Sequence, residues 1–376
     1  MAGIYIHIPF CKKACHYCDF HFSTSLKYKS DMINAIMKEL VLQQAYLNTT
    51  TLESIYFGGG TPSLLTQTEL TQIFDVITKL YQIANDAEIT LEANPDDLTS
   101  RKLSELAQTP INRLSIGVQS FHDEDLQWMN RPHHAHEATN SIKRAQDTGF
   151  DNLTIDLIYG YPLLSDTKWI QNINQATSLA IPHISAYCIT VEQGTALAHL
   201  INNKQQATII DEQGANQLLL AMDLLERKGF EQYEISNFCQ TNKQGKHNAN
   251  YWKQQKYVGI GPSAHSYNGT TRQWNIKNNL KYIESISKDL IPAEIETLSI
   301  ENRLNEYMMT SLRTSWGMDL NKIHVNFGEQ ENDRIRESLT TFKENNWINI
   351  EADTVTLTKQ GKLFADYISA SLFATT

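Results

Sequence analysis

With 376 residues, 41% of them hydrophobic, the chain can bury a large core. Single cores rarely grow past about 250–300 residues, so one large domain with an appendage is predicted. A formal net charge of −10 excludes a protein that holds nucleic acid through a basic surface, and the lack of any run of about 18 apolar residues excludes a membrane-spanning helix.

The first apolar run, Gly3–Ile8, reads as a strand and leads directly into Phe10-Cys-Lys-Lys-Ala-Cys-His-Tyr-Cys-Asp-Phe20. Cys11, Cys15 and Cys18 stand at the spacing C-x3-C-x2-C. Thiolates hold iron in iron–sulfur clusters, normally four to a cubane, so three leave one iron with an open coordination position. A structural zinc site would need a fourth Cys or His, which His16 or His21 could supply. A disulfide framework needs an oxidising compartment. The opening Met-Ala-Gly-Ile-Tyr-Ile-His has neither the basic start nor the apolar stretch of a secretory signal, so a reducing cytoplasm is expected. On spacing alone, cluster and zinc both stand.

Helical periodicity over Tyr28–Ala45 precedes a strand over Leu52–Phe57 and the run Gly58-Gly-Gly-Thr-Pro62, where residues without side chains let backbone approach a ligand. Further strands are predicted over Ala87–Glu92, Arg113–Val118, Asn152–Leu157 and His183–Ile189, and helices over Thr66–Leu80, Thr99–Ala107, His136–Thr148, Thr167–Leu179 and Ile209–Lys228. Six βα units in succession predict a parallel α/β sheet with helices outside, and ligands at the carboxyl ends of the strands. Glu92 and Asn94, Gln119, and Asp156 fall there. Each alone reads as an ordinary strand-end polar residue; their joint placement points to a site.

Together the cysteine string after the first strand and Gly-Gly-Gly-Thr-Pro after the second resemble the radical S-adenosylmethionine (SAM) superfamily. The resemblance implies a partial (β/α)6 barrel and a [4Fe-4S] cluster on Cys11, Cys15 and Cys18, its fourth iron chelated by the amino and carboxylate groups of SAM. The strings Tyr5-Ile-His-Ile-Pro-Phe-Cys11, Tyr56-Phe-Gly-Gly-Gly-Thr-Pro-Ser63, Ser115-Ile-Gly-Val-Gln-Ser-Phe121 and Asp156-Leu-Ile-Tyr-Gly160 are similar to the group of oxygen-independent coproporphyrinogen III oxidases and HemW-type haem chaperones. Carried over by motif, Tyr5 and Tyr17 would lie by the cofactors. Gly58, Gly59, Gly60 and Thr61 would line the methionine part of SAM. Glu92, Gln119, Arg131 and Asp156 would contact SAM, including a second molecule in the oxidase. Arginine suits a carboxylate because its planar fork donates two parallel hydrogen bonds, and an ionised aspartate accepts from paired ribose hydroxyls.

Three features favour the chaperone branch. Ten residues precede Cys11, where the oxidase carries a long segment; Phe20 stands where the oxidase motif has a fourth cysteine; and His247-Asn-Ala-Asn-Tyr-Trp252 matches the H-N-x-x-Y-W signature of the chaperones. An imidazole is a usual axial ligand of haem iron and aromatic faces pack against a macrocycle, which makes His247 a haem-ligand candidate beside Tyr251 and Trp252. His265 and Cys188 are further candidates, the latter expected to pack as a small buried residue; His133 belongs to a solvated loop with His134 and His136. The resemblance thus implies three cofactors (cluster, SAM and haem) and delivery of haem to acceptor haemoproteins of the respiratory chain, with no nucleic acid and at most peripheral membrane association. The alternative is the oxidase, which would use a SAM-derived radical to turn two propionates of coproporphyrinogen III into vinyls.

After Ile291-Pro292 the βα rhythm stops, dividing the chain into a barrel domain with its extension, residues 1–290, and a C-terminal domain, 291–376. Helices over Glu301–Ser311, Asp319–Phe327, Asp333–Asn345 and Gln360–Leu372, with a hairpin over Trp347–Glu351 and Thr354–Thr358, form a small winged-helix-like α+β pattern similar to that found at the end of the same family. Residues 290–376 hold eight Lys or Arg against thirteen Asp or Glu, a net of −5, so protein packing or substrate closure is expected there rather than DNA contact.

Overall fold

The structure, a computed structural model, describes residues 2–374. Its centre is a parallel run of six strands, β1 (Ala2–Ile8), β2 (Thr51–Gly59), β3 (Gln82–Ala93), β4 (Arg113–Gln119), β5 (Leu153–Tyr159) and β6 (His183–Cys188), paired in that order. Parallel strands covered on both faces need near-continuous apolar sequence. In β1, Ile4, Ile6 and Ile8 are fully buried, while Gly3, Tyr5 and His7 alternate onto the barrel interior, against His247, Tyr56 and Gly59 respectively. The outer helices follow from local signals. The helix Gln67–Leu80 starts at a capping box between Thr66 and Glu69, and its Leu70, Ile73, Phe74 and Ile77, at helical spacing, are its buried face.

The sheet does not stop at six strands. β7 (Glu231–Glu234) and β8 (Asn237–Cys239) extend it antiparallel beyond β6, and β9 (Lys256–Ile260), β10 (His265–Tyr267), β11 (Thr271–Asn275) and β12 (Ala293–Thr297) extend it beyond β1, giving twelve strands. β9 runs parallel to β1, with Ala2 opposite Lys256 and Ile6 opposite Ile260. The helix Lys29–Leu42 is tied to this extension by Glu39, which is fully buried. Its carboxylate accepts from Tyr282 Oη at 2.5 Å, Asn275 Nδ2 at 2.7 Å and the Gly261 N–H at 2.8 Å.

The C-terminal unit has its own core around Leu304, Met308, Ile323, Leu339 and Ile368, under an antiparallel sheet of β13 (Met318–Asp319), β14 (Ile348–Glu351) and β15 (Thr354–Leu357) in the order β13-β15-β14. Strand β12, on the far side of the expected division at residue 290, pairs with β11 and so belongs to the large sheet. The two units are joined at β7: the N–H of Ser315 donates to Tyr233 O at 2.9 Å and that of Ile235 to Arg313 O at 3.1 Å. Lys359 adds ion pairs to Asp223 and Glu226 at 2.7 and 2.6 Å. No helix among the described residues is long and apolar enough to cross a membrane.

Candidate functional site

The loop that leaves β1 is fastened at both ends and along its length. Phe10 and Ser23 form a bridge, and the Cys11 N–H donates to Ser23 O at 3.0 Å. The Nδ1 of His16 lies 2.8 Å from Trp128 O, and Asn130 Nδ2 donates to Ala14 O at 2.7 Å. His21 lies 2.7 Å from Asn279 Oδ1 through Nε2, while its carbonyl lies 2.8 Å from His7 Nε2. Each of the two histidines that could have completed a zinc site has one ring nitrogen engaged in holding the loop. Among the described residues no three His, Cys, Asp or Glu side chains converge on a point that would hold a single ion; a multi-iron cluster spreads its thiolates more widely.

Cys11, Cys15 and Cys18 line one wall of a cavity of about 400 Å³, within the range of small-molecule sites. Tyr17, Gly59, Gly60, Thr61, Glu92, Gln119, Arg131 and Asp156 line the same cavity, so eleven of the thirteen residues that the resemblance assigns to the cluster and SAM meet there. Burial pushes the Cys11 thiol up to about 11, against a hydrogen bond from Thr61 Oγ1 at 3.4 Å, and the Cys18 thiol up to about 12. Thiols so protonated release protons when they bind metal.

The carboxyl ends of β3, β4 and β5 supply the rest. Glu92 accepts from Tyr56 Oη at 2.8 Å and from the Gly59 N–H at 3.1 Å. Burial nevertheless raises its carboxyl to about 7, with the charge of Asp156 adding to the rise. Burial likewise raises Asp156 to about 6, against the pull of Ser185, Arg113 and Arg131. The guanidinium of Arg131 donates to Asn94 Oδ1 at 2.6 Å and Gly117 O at 2.7 Å and lies 3.4 Å from Cys15 Sγ. Its Nε is buried with no partner, a donor that a bound carboxylate would complete. Gln119 holds φ at +66°, a left-handed conformation uncommon outside glycine and concentrated at functional sites. Three thiols, a fixed guanidinium with a free donor, and two carboxyls able to accept from an amine or hydroxyls form a donor set that fits an iron–sulfur cluster carrying an amino acid moiety.

Three expected residues do not line the cavity. Tyr5 turns its hydroxyl to His7 Nδ1 at 3.1 Å and stacks on Tyr56. Gly58 lies beneath the wall, where a Cβ would come within 2.9 Å of the Tyr5 and Tyr56 rings. The glycine run is thus demanded largely by the protein's own packing: Gly59 has φ at +103° and a Cβ there would strike the His7 ring at 2.5 Å, while one on Gly60 would strike the Ile8 and Phe10 backbone. His247 is the third exception. It is 3% exposed, beside Gly3 and Ser54 at the amino ends of β1 and β2, with Nδ1 2.8 Å from Ser54 Oγ and Nε2 2.8 Å from Tyr251 Oη. An axial ligand needs a free nitrogen facing open space, so the haem-ligand expectation for His247 is corrected: both of its nitrogens are engaged at the opposite end of the barrel.

Other expectations are also revised. Cys188 is exposed rather than buried and lines the cavity with Tyr187; a Cβ on Gly214 would come within 2.7 Å of its sulfur. His133 is not in a solvated loop but 2% exposed, with Nε2 3.1 Å from Val118 O. Asn94 and Gly117, which hold Arg131, gained no role from motif matching, although Asn94 was visible as a strand-end polar residue. Phe20, 66% exposed, lines the mouth with Phe22.

A family model described as the radical SAM superfamily matches residues 5–176, and one described as the HemN C-terminal domain matches residues 298–364. The chain is 33% identical over 371 residues to the heme chaperone HemW of Bacillus subtilis, covering 98% of each chain. It is 36% identical over 269 residues to the heme chaperone HemW of Escherichia coli, covering 70% of this chain and 69% of the relative. Among solved structures, coproporphyrinogen III oxidase (HemN) from Escherichia coli superposes with a TM-score of 0.84 at 20% identity, over 99% of this chain and 90% of that one, which establishes a shared fold.

Proposed function

The chain belongs to the HemW haem chaperone family of the radical SAM superfamily, and from that premise we propose that it binds haem and hands it to haem-dependent proteins of the respiratory chain. Membership of the superfamily brings a [4Fe-4S] cluster and SAM. In our reading Cys11, Cys15 and Cys18 hold the cluster. Arg131 receives the SAM carboxylate through its unpartnered Nε, keeping its charge at any working pH, and Glu92 accepts from the amino group. Asp156 accepts from the ribose hydroxyls, with Gly59, Gly60 and Thr61 along the methionine part. When bound, the cluster supplies single electrons to SAM. The barrel's part is to orient the two against each other and keep water from them.

The observation that carries the haem reading is the full-length similarity to relatives named haem chaperones. Two features support it. Phe20 replaces the fourth cysteine of the oxidase motif, and with Phe22 and Tyr187 it gives the cavity mouth aromatic faces against which a macrocycle can lie. The oxidase alternative draws on a shared fold at 20% identity, and fold alone does not carry function.

The test is made anaerobically on the reconstituted protein with SAM and a reductant, divided between coproporphyrinogen III and haem. The expected result is a stoichiometric Soret band that transfers to an apo-haemoprotein, with coproporphyrinogen untouched. Formation of protoporphyrinogen with consumption of SAM would establish the oxidase instead.

A further inference from the structure

The signature His247-Asn-Ala-Asn-Tyr-Trp252 has no place in the cavity, yet each of its distinctive side chains is engaged. It forms the short helix Lys246–Trp252. The N–H groups of Lys246 and His247 each donate at 2.9 Å to the carboxylate of Glu88, which is itself paired with buried Arg113 at 3.6 Å. Asn248 Nδ2 donates to Tyr233 Oη at 3.1 Å. Tyr251 meets the Tyr257 ring edge-on at 4.5 Å, and Trp252 lies under the guanidinium of Arg313 at 5.7 Å. The helix is therefore bound to β3, β7 and β9 and to the C-terminal unit.

His247 is the side chain that reaches into the barrel. Gly3 leaves the space for it, since a Cβ there would stand 3.2 Å from the imidazole. Its ring stacks on Tyr56 with centroids 5.1 Å apart and planes 26° from parallel. Ser54, its hydrogen-bond partner, lies on the same inward face of β2 as Tyr56. Tyr56 in turn donates to Glu92 Oε1 at 2.8 Å, and the other oxygen of Glu92 receives the Gly59 N–H. A continuous line of contacts thus runs from the amino end of the barrel to the cavity, over the roughly 13 Å that four strand residues span.

We propose that His247 is a positioning residue: packed beneath Tyr56, it fixes the phenol that holds the Glu92 carboxylate in place for the amino group of SAM. This rests on the reading of Glu92 as a SAM contact given above. The signature then serves the SAM site from below.

The test uses the full chain with its cluster reconstituted, SAM affinity by calorimetry, and iron, sulfide and Soret spectrum as controls. His247→Ala and Tyr56→Phe are each expected to weaken SAM binding about tenfold, the size of one hydrogen bond to a charged group. Iron, sulfide and the haem spectrum should not change. Either substitution added to Glu92→Gln should cost nothing further in affinity, a non-additivity that general loosening of the fold would not produce. Should the buried His247→Ala variant fail to fold, Tyr56→Phe, which keeps the ring, carries the same comparison. Fully additive losses, unaltered SAM affinity in both variants, or a changed Soret band in His247→Ala with its cluster intact would each overturn the proposal. Unaltered affinity in Glu92→Gln alone would overturn the underlying reading, and the proposal with it.

Discussion

Replacing Glu92 by glutamine is expected to remove a large part of the pH dependence of stability of the metal-free, SAM-free chain. Burial holds this carboxyl at about 7 against its ordinary 4.5, even with Tyr56 and Gly59 donating to it. The folded protein thus keeps the proton more tightly than the unfolded chain does. The stability this provides is complete below about pH 4.5 and is lost as the pH rises through about 7. At about 1.4 kcal/mol for each pH unit of that gap, ionising Glu92 in the folded state costs about 3 kcal/mol by pH 8. Glutamine cannot ionise, and it keeps one of the two accepted hydrogen bonds, losing about 1 kcal/mol with the other. The variant should match the wild type near pH 5 and exceed it by about 2 kcal/mol at pH 8. Asp156, raised to about 6 in the same way, leaves a second decline at lower pH in both proteins. Urea denaturation followed by circular dichroism at pH 5, 6.5 and 8 measures the difference. Profiles that stay parallel across that range would show that Glu92 is not held protonated by burial, and would refute the reasoning.

Three further outcomes are expected. Cys15→Ala, purified anaerobically, should lose the broad visible absorbance and the iron of the cluster; wild-type iron and sulfide in that variant would remove the cluster assignment. Arg131→Lys and Asp156→Asn should each weaken SAM binding tenfold or more while the cluster stays intact, because lysine lacks the planar fork and asparagine accepts less strongly; calorimetry that finds both unchanged would count against these contacts. Glu39→Leu strands the donors of Tyr282, Asn275 and Gly261, and at about 1–3 kcal/mol for each buried orphan should lower stability by about 3 kcal/mol or more; an unshifted urea midpoint would mean that the site relaxes.

The six central strands were legible because each is buried on both faces and must be written in apolar, β-branched residues, as in Ile4-Tyr-Ile-His-Ile8. The outer strands were not. Glu-Gln-Tyr-Glu in β7, Thr-Arg-Gln-Trp-Asn in β11 and Ala-Glu-Ile-Glu-Thr in β12 are short and mixed in polarity, since an outlying antiparallel strand needs only backbone partners and one covered face. In the site, the cysteines were readable because their spacing is local, and Glu92, Gln119 and Asp156 because strand ends can be located. What sequence could not supply was depth along a strand. Gly58 and Gly59 are adjacent, yet Gly58, on the inward face of β2 with Ser54 and Tyr56, lies under the wall, whereas Gly59, where the backbone turns out of the strand with φ at +103°, lines it. His247 carries a signature that says nothing about which end of the barrel it enters.

The parallel pairing of β1 with β9 has a consequence for how the protein comes into being. The cysteine string is made well before its partners: the second edge of the strand that carries it is satisfied only by residues some 250 positions later, from Lys256 to Ile260. Two fasteners of the cysteine loop come later still, Lys277 on Asp19 O and Asn279 on His21. Contacts so distant in sequence form slowly, and domains acquire their structure as the chain is delivered from its N-terminus. The three thiols therefore spend most of the chain's synthesis outside a finished pocket. A metal centre held by these thiols would be completed only after the emergence of β9 and of the segment that carries Lys277 and Asn279.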